Sequence, residues 1–220
     1  MGEYLSKCGY TILGVRLAGH ATQPEDMIRS RWWDWLACVE DGWHLLSGCT
    51  DQIFVLGLSM GGILSLTISS HMPVAGVVAM ATPHHLPPDP RIPFIKPLSH
   101  FQRFIPKGPP QWHDLAAYQN HVDYPAYPTR AYAELRQLLE RMRLGLGQVR
   151  CPALLIYSKA DPTVTAAEGH MEKIFAALGS QTKQTLWVEN SGHVITGDAD
   201  RQIVYQACGE FIQRVSQEGL

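Results

Sequence analysis

The sequence predicts an α/β protein in which a mainly parallel sheet is flanked by helices. Short apolar runs alternate with longer segments in which the apolar residues recur at helical spacing. The chain has 220 residues, of which 45% are hydrophobic and 17% charged, enough for one domain with a sizeable core. We therefore predict a single domain over residues 1–220, with one long lid insertion at about 83–143.

Five apolar runs predict the strands of the sheet, and they lie at about 11–16, 53–57, 76–80, 153–157 and 184–188. Helical periodicity predicts the covering helices at about 30–46, 60–71, 129–143, 165–178 and 199–215. Because strands that alternate with helices are joined by crossovers, we expect them to be parallel, with their carboxyl ends at one common edge.

The segment 83–128 differs in character from the rest of the chain. It is rich in proline and aromatic residues, and its periodicity is weak. A long irregular insertion in a compact domain is usually a functional lid or a disordered segment. A packed lid is favoured here by the apolar residues Ile92, Phe94, Ile95, Leu98, Phe101, Phe104 and Ile105.

A serine lies between glycines at the point where the second predicted strand gives way to a helix. The motif Gly57-Leu58-Ser59-Met60-Gly61 is G-x-S-x-G, which in this context is typical of a nucleophile elbow. Small residues two before and two after the serine would prevent backbone clashes. The Met60 N–H, in the first turn of the helix, would face an oxyanion. The alternative is a serine whose hydroxyl is bonded by the backbone of a tight turn.

Two further loops supply the residues that a serine nucleophile needs. Asp161 follows the strand at 153–157, and His193 follows the strand at 184–188. The order serine, acid, histidine is the one that this type of elbow requires. Taken singly, Asp161 could cap the next helix and His193 could be an exposed loop residue. Asp198 and Asp200 are predicted to be helix caps or first-turn acids, and His170 a packing or surface residue.

Charge and composition exclude several classes of partner. The net charge of −2, without blocks of like charge, argues against nucleic acid, and no apolar run is long enough for stable membrane insertion. The N-terminus lacks the apolar region of a signal peptide, and five scattered cysteines indicate free thiols, so we predict a cytoplasmic protein. Ten histidines, including His84 and His85, show no metal-ligand spacing, so no metal site is predicted.

A resemblance to a known family is carried by five segments: GLSMGG, SKADPTV, NSGHVITGD, GYTILGVRLAGHATQPEDM and RWWDWL. They resemble the bacterial carboxylesterase and monoacylglycerol lipase-like branch of the α/β-hydrolase fold, nearly end to end. The resemblance implies a serine esterase without a cofactor, which cleaves small-molecule carboxylic esters of short to medium acyl chains through an acyl-enzyme. It assigns the nucleophile to Ser59, the acid to Asp161, the base to His193 and one oxyanion donor to Met60.

The resemblance has one departure, at the beginning of the chain. Family members begin with further strands and a segment resembling LLLHGFTG, whose loop gives the second oxyanion N–H. Here residues 1–5 match the helix after that loop, so we expect an N-terminally shortened fold. The missing strand would lie in the sheet, between the strand predicted at 11–16 and the strand predicted at 53–57. The loop 19–21 is an alternative source of the second donor.

Two alternative functions stay open at this point. The missing strand would leave a sheet edge that another chain could pair with, which favours a catalytically impaired or non-catalytic binding protein, or a homodimer. A thioesterase or a lactonase would use the same three residues as an esterase.

Overall fold

A computed structural model describes residues 1–218, and a four-stranded sheet lies at its centre. The sheet is formed by β1 (Phe54–Leu58), β2 (Gly76–Met80), β5 (Ala153–Ser158) and β6 (Lys183–Val188). Its strand order is β1-β2-β5-β6, and every neighbouring pair is parallel. The predicted parallel sheet is confirmed, and these four strands lie within one residue of the predicted runs.

Nine helices of four or more residues surround this sheet in the described part of the chain. They are α1 (Gly2–Lys7), α2 (Pro24–Arg29), α3 (Trp32–Ser47), α4 (Met60–Ile68), α5 (Ile95–Phe101), α6 (Leu115–Gln119), α7 (Thr129–Gly145), α8 (His170–Ala177) and α9 (Arg201–Glu218). The helix predicted from 165 begins late, because Gly169 has a φ of +64° and separates a short 3-10 turn from α8. Between residues 1 and 218, none of the helices has the length and apolarity needed to cross a bilayer.

The central strands β2 and β5 are buried on both faces, which explains why they read as continuous apolar runs, whereas the edge strands β1 and β6 are only partly buried. On one face, Val77 and Ala79 of β2 lie in a core formed with α3, α4, α7 and α8. On the other face, Val78 and Met80 of the same strand lie in a core formed with α1 and α9. Successive side chains of a strand point to opposite faces, so each strand contributes to both cores.

The strand predicted at 11–16 is wrong. The segment is irregular, and Ile12, Leu13 and Val15 are exposed. A Cβ placed on Gly42 of α3 would lie 2.8 Å from Val15 and 3.4 Å from Leu13, so the segment packs on that helix. An apolar run becomes a strand only where another strand offers hydrogen bonds, and within residues 1–218 β1 pairs with β2 alone.

The insertion, residues 83–143, contains regular structure that the sequence did not indicate. The strands β3 (Phe104–Pro106) and β4 (Ala126–Pro128) pair in antiparallel fashion and enclose α6. The packing expected of its apolar residues holds for Ile95, which is buried. It fails for Phe94 and Phe101, whose exposed fractions are 67% and 90%. The insertion is therefore folded, with part of its apolar surface facing solvent.

Candidate active site

Ser59 occupies a sharp turn between β1 and α4. Its φ of 55° and ψ of −115° are unusual for a residue with a side chain. The turn is held by two backbone hydrogen bonds, from the Ser59 N–H to the Met80 carbonyl at 2.7 Å and from the Ile63 N–H to the Ser59 carbonyl at 3.1 Å. The serine side chain therefore lies at the carboxyl edge of the sheet, in the geometry of a nucleophile elbow.

Two glycines allow the close approaches on which this turn depends. A Cβ on Gly57 would lie 2.0 Å from the Gly61 carbonyl oxygen, and a Cβ on Gly62 would lie 1.9 Å from the Thr82 hydroxyl oxygen. A Cβ on Gly61 would meet nothing within 4 Å. After the serine, Gly62 is therefore the residue that leaves no room for a side chain. It lies one position later than the motif predicts.

His193 and Asp161 meet Ser59 at the same edge. The His193 Nε2 lies 2.8 Å from the Ser59 Oγ, and the His193 Nδ1 lies 2.8 Å from the Asp161 Oδ2. The Asp161 Oδ1 accepts hydrogen bonds from the N–H groups of Thr163 at 2.7 Å and Val164 at 3.1 Å. The structure thus brings together the three residues that the sequence singled out, although they lie at positions 59, 161 and 193.

The electrostatics of Asp161 determine which nitrogen of His193 carries the proton. Burial alone would raise the pKa of the Asp161 carboxyl, but the contacts with His193 and the N–H groups of Thr163 and Val164 hold it below its ordinary value. The carboxylate is therefore ionised and acts only as an acceptor. Nδ1 of His193 must then donate, which leaves the lone pair of Nε2 directed at the Ser59 hydroxyl.

The Met60 N–H lies in the first turn of α4, where backbone N–H groups have no intrahelical acceptor. Its position beside Ser59 is the one predicted for an oxyanion donor. In the loop 19–21, the His20 N–H already donates to the Leu17 carbonyl at 3.0 Å. The Tyr124 hydroxyl donates to the Gly19 carbonyl at 2.9 Å, so this loop is tied to the insertion. A second donor from this loop stays a prediction.

The carboxylates of Asp198 and Asp200 are not caps of α9. That of Asp200 accepts from the Asn190 N–H at 2.6 Å and the Ser191 hydroxyl at 3.1 Å. That of Asp198 accepts from four backbone N–H groups, two of which belong to the insertion. The sequence placed both residues correctly before α9. Apart from the adjacent Ala199, their partners lie in other loops, so no local pattern could identify them.

A second group of polar residues lies near the start of the insertion, and no motif in the sequence predicts that they come together. His85, Glu168 and His170 offer possible metal-ligand atoms within 4.8 Å of one another. However, the Nδ1 of His170 accepts from the His84 N–H at 3.0 Å, so the proton of the neutral ring is on Nε2 and donates to Glu168 at 2.5 Å. A metal-bound histidine ordinarily donates from its other nitrogen, so the group fits a hydrogen-bonded cluster better than a metal site.

Comparison with known proteins agrees with this geometry. A sequence profile of the Alpha/beta hydrolase family matches residues 3–207. A carboxylesterase of Bacillus subtilis (strain 168) is 27% identical over 219 residues, which cover 98% of this chain and 86% of that protein. A thermostable monoacylglycerol lipase of Bacillus sp. (strain H-257) is 30% identical over 227 residues, which cover 97% of this chain and 84% of that protein.

Solved structures show the same similarity. The structure described for the metagenome-derived lipolytic enzymes LipS and LipT has a TM-score of 0.89 at 29% identity, over 97% of this chain and 86% of that one. The monoacylglycerol lipase of Paleococcus ferrophilus has a TM-score of 0.71 at 16% identity, over 85% of this chain and 76% of that one, and shows the fold alone. The predicted fold class, resemblance and hydrolase class are confirmed, and the chain belongs to the Alpha/beta hydrolase family.

Proposed function

We propose that the chain is a serine carboxylic-ester hydrolase that acts on esters of short to medium acyl chains. The observation that supports this most strongly is the continuous hydrogen-bond chain from Ser59 through His193 to Asp161, with both heavy-atom distances at 2.8 Å. A serine hydroxyl is a weak nucleophile, and a base oriented by a third group is what activates it.

Acylation begins when the Ser59 Oγ attacks the carbonyl carbon of the ester and its proton passes to the His193 Nε2. The carbonyl oxygen becomes an oxyanion, which the Met60 N–H stabilises. Asp161 stabilises the imidazolium that forms and does not itself take the proton. His193 then gives the proton to the alcohol oxygen, the C–O bond breaks, and an acyl-enzyme remains on Ser59.

Deacylation repeats these steps with water as the nucleophile. His193 takes a proton from the water while the oxygen attacks the acyl carbon, and then returns a proton to the Ser59 Oγ as the carboxylic acid leaves. A loss of one oxyanion donor typically lowers the rate roughly 10²–10³-fold, so the efficiency depends on a second donor beside Met60.

The substrate class is proposed from the relatives. Two relatives covered over more than four fifths of their length are a carboxylesterase and a monoacylglycerol lipase, and both names denote action on carboxylic esters. The insertion, residues 83–143, is assigned as the lid that forms the acyl pocket. The cytoplasmic location and the homodimer stay predictions.

A chain-length series of p-nitrophenyl esters, from acetate to laurate, tests the proposal. We expect hydrolysis with a preference for short to medium chains, and an initial burst equal to the enzyme concentration where deacylation is slow. Ser59→Ala should lower kcat/KM by at least about 10⁴-fold. Ser47→Ala is the matched control, because this exposed serine bonds only the nearby His44 carbonyl in α3. Full activity in Ser59→Ala would refute the proposal.

A further inference from the structure

A short piece of the insertion crosses the loops that carry His193 and Asp161. We call this piece, residues 111–114, the strap. The side chain of Asp198 is completely buried beneath it. The carboxylate accepts from the strap N–H groups of His113 at 3.0 Å and Asp114 at 2.7 Å. It also accepts from the N–H of Gly192 at 2.7 Å, the residue before His193. One carboxylate therefore joins the insertion to the histidine loop.

The strap and the histidine loop are also in direct van der Waals contact. A Cβ on Gly192 would lie 1.7 Å from the Gln111 carbonyl oxygen, so only glycine allows the strap backbone to approach this closely. A Cβ on Gly197 would lie 2.8 Å from the ring of Trp112. The strap therefore packs directly against the loop 192–198, and a shift of either backbone would disturb this contact.

A second attachment fixes the strap to the loop of Asp161. The Thr163 hydroxyl donates to the Gln111 side-chain oxygen at 3.0 Å, and the Thr163 N–H donates to Asp161 at 2.7 Å. At its other end, the carboxylate of Asp114 forms an ion pair with Arg201 of α9 at 2.6 Å. The strap is thus bonded on both sides of the hydrogen-bond chain that leads to Ser59.

The ionised state of the Asp198 carboxyl is consistent with its bonds to both the strap and the histidine loop. Burial would raise the pKa of the carboxyl, but the N–H groups of Asp114, Gly192, His113 and Ala199 outweigh it and hold the pKa below its ordinary value. A buried ionised carboxylate that accepts several N–H groups makes strong, directional hydrogen bonds. Such bonds hold the backbone next to His193 in a fixed position.

We propose that Asp198 is a positioning residue, whose carboxylate holds the His193 loop against the strap and so keeps His193 within reach of Ser59. This inference rests on the proposed function of His193 as the base. Asp198 contacts neither substrate nor the reacting atoms, and acts through the backbone at Gly192. The order of the insertion and the chemical step are thereby coupled, because without the strap Asp198 would lose two of its four backbone donors.

The test is Asp198→Asn, which keeps the shape but replaces one acceptor oxygen by an NH₂ group that faces N–H donors. With p-nitrophenyl butyrate we expect kcat to fall roughly 10–100-fold, as for a displaced catalytic group, while KM changes less than about threefold. Amide hydrogen exchange at His113, Asp114 and Gly192 should accelerate at least about tenfold. The matched control is Glu210→Gln, which weakens an exposed contact with Gln206 in α9, outside the insertion, and should change neither quantity.

Each outcome decides the proposal. Unchanged kcat in a folded Asp198→Asn variant, or a fall in kcat without faster exchange at these amides, would overturn it. Should that variant not fold, His113→Pro removes one donor from an exposed strap position, and a kcat equal to that of the wild type would overturn the proposal equally. A wild-type protein that hydrolyses no ester refutes the proposed function instead, and the exchange rates alone then decide whether Asp198 joins the strap to the loop.

Discussion

Two carboxylate–histidine pairs, Asp161–His193 and Glu168–His170, use their imidazole nitrogens in opposite ways. In the pair Asp161–His193, Nδ1 contacts the carboxylate and Nε2 faces the Ser59 hydroxyl. In the pair Glu168–His170, Nε2 contacts the carboxylate and Nδ1 accepts from a backbone N–H. The carboxylate distances, 2.8 Å and 2.5 Å, are similar, so the partner of the second nitrogen is what separates the pairs.

A carboxylate beside a histidine is therefore not sufficient to make that histidine a general base. A base needs a lone pair directed at a proton that it can remove. His193 has one and its side chain is 19% exposed, whereas both nitrogens of His170 are engaged and its side chain is 2% exposed. We therefore expect the pair Asp161–His193 to carry activity and the pair Glu168–His170 to carry stability.

The largest expected effect is that of His193→Gln on ester hydrolysis. The substitution removes the base, and kcat should fall about 10⁵–10⁶-fold, the size of the loss when the histidine of a comparable protease is removed. Because the ring is partly exposed, the free energy of unfolding should change by less than about 1 kcal/mol. Steady-state kinetics and urea denaturation measure the two quantities. Retained activity would show that the pair Asp161–His193 does not carry catalysis.

Next in size is the effect of Asp161→Asn. The amide would donate to Nδ1, which places the ring proton on Nε2 and removes the lone pair from Ser59. We expect a fall in kcat of about 10⁴-fold, as in serine proteases with the same change. The matched control is Glu168→Gln, for which kcat should stay within about threefold of the wild type, less than 1 kcal/mol in the barrier. Equal losses in the two variants would contradict the assignment.

His170→Gln should show the reverse pattern, a loss of stability without a loss of activity. The glutamine cannot both accept from the His84 N–H and reach Glu168 as the ring does. Leaving a buried polar group unpaired costs about 1–3 kcal/mol. We expect this loss in the free energy of unfolding from urea denaturation, with kcat within about threefold of the wild type. A variant with wild-type stability would show that the second pair carries none of it.

The smallest expected effect is a difference in pH dependence between the two neighbourhoods. Burial, with help from Arg143 and other nearby cationic groups, lowers the pKa of His84 to about 4. The unfolded chain binds a proton near pH 6.5, so stability is full above that pH and falls as pH drops toward 4. Because His84 is partly exposed, the loss should be about 1 kcal/mol rather than the full value of the shift.

The carboxyl of Asp161 acts in a lower pH window. Its folded pKa lies below the ordinary value, so its contribution is present at neutral pH and is lost only as pH falls below about 4. Urea midpoints, measured for the wild type and His84→Gln at a series of pH values, separate the contribution of His84 from that of Asp161. The variant should lose less stability than the wild type between pH 6.5 and 4. Parallel curves over that range would contradict the His84 assignment.

Most of the sheet and the three residues at its edge could be predicted from the sequence. The central strands are buried on both faces and read as apolar runs, and Ser59, Asp161 and His193 come one, three and five residues after a strand ends. Local pattern therefore reports their position along the chain, and the topology of a parallel sheet brings their loops to one edge.

The remaining features depend on contacts between distant segments. Residues 11–16 have the composition of a strand but no neighbouring strand in the described part of the chain, so their tertiary surroundings override their propensity. Asp198 lies three residues before α9, yet its partners His113 and Asp114 lie about 85 residues earlier. No periodicity or motif in one sequence indicates such pairs.

Covalent trapping determines whether Ser59 is the activated nucleophile of the chain. A fluorophosphonate probe reacts with a serine only when a base activates it, and peptide mass spectrometry then identifies the labelled residue. We predict one label per chain, on Ser59, that disappears in Ser59→Ala and falls steeply in His193→Gln, while His170→Gln labels like the wild type. Labelling that survives Ser59→Ala, or that falls on another residue, would show that Ser59 is not the nucleophile.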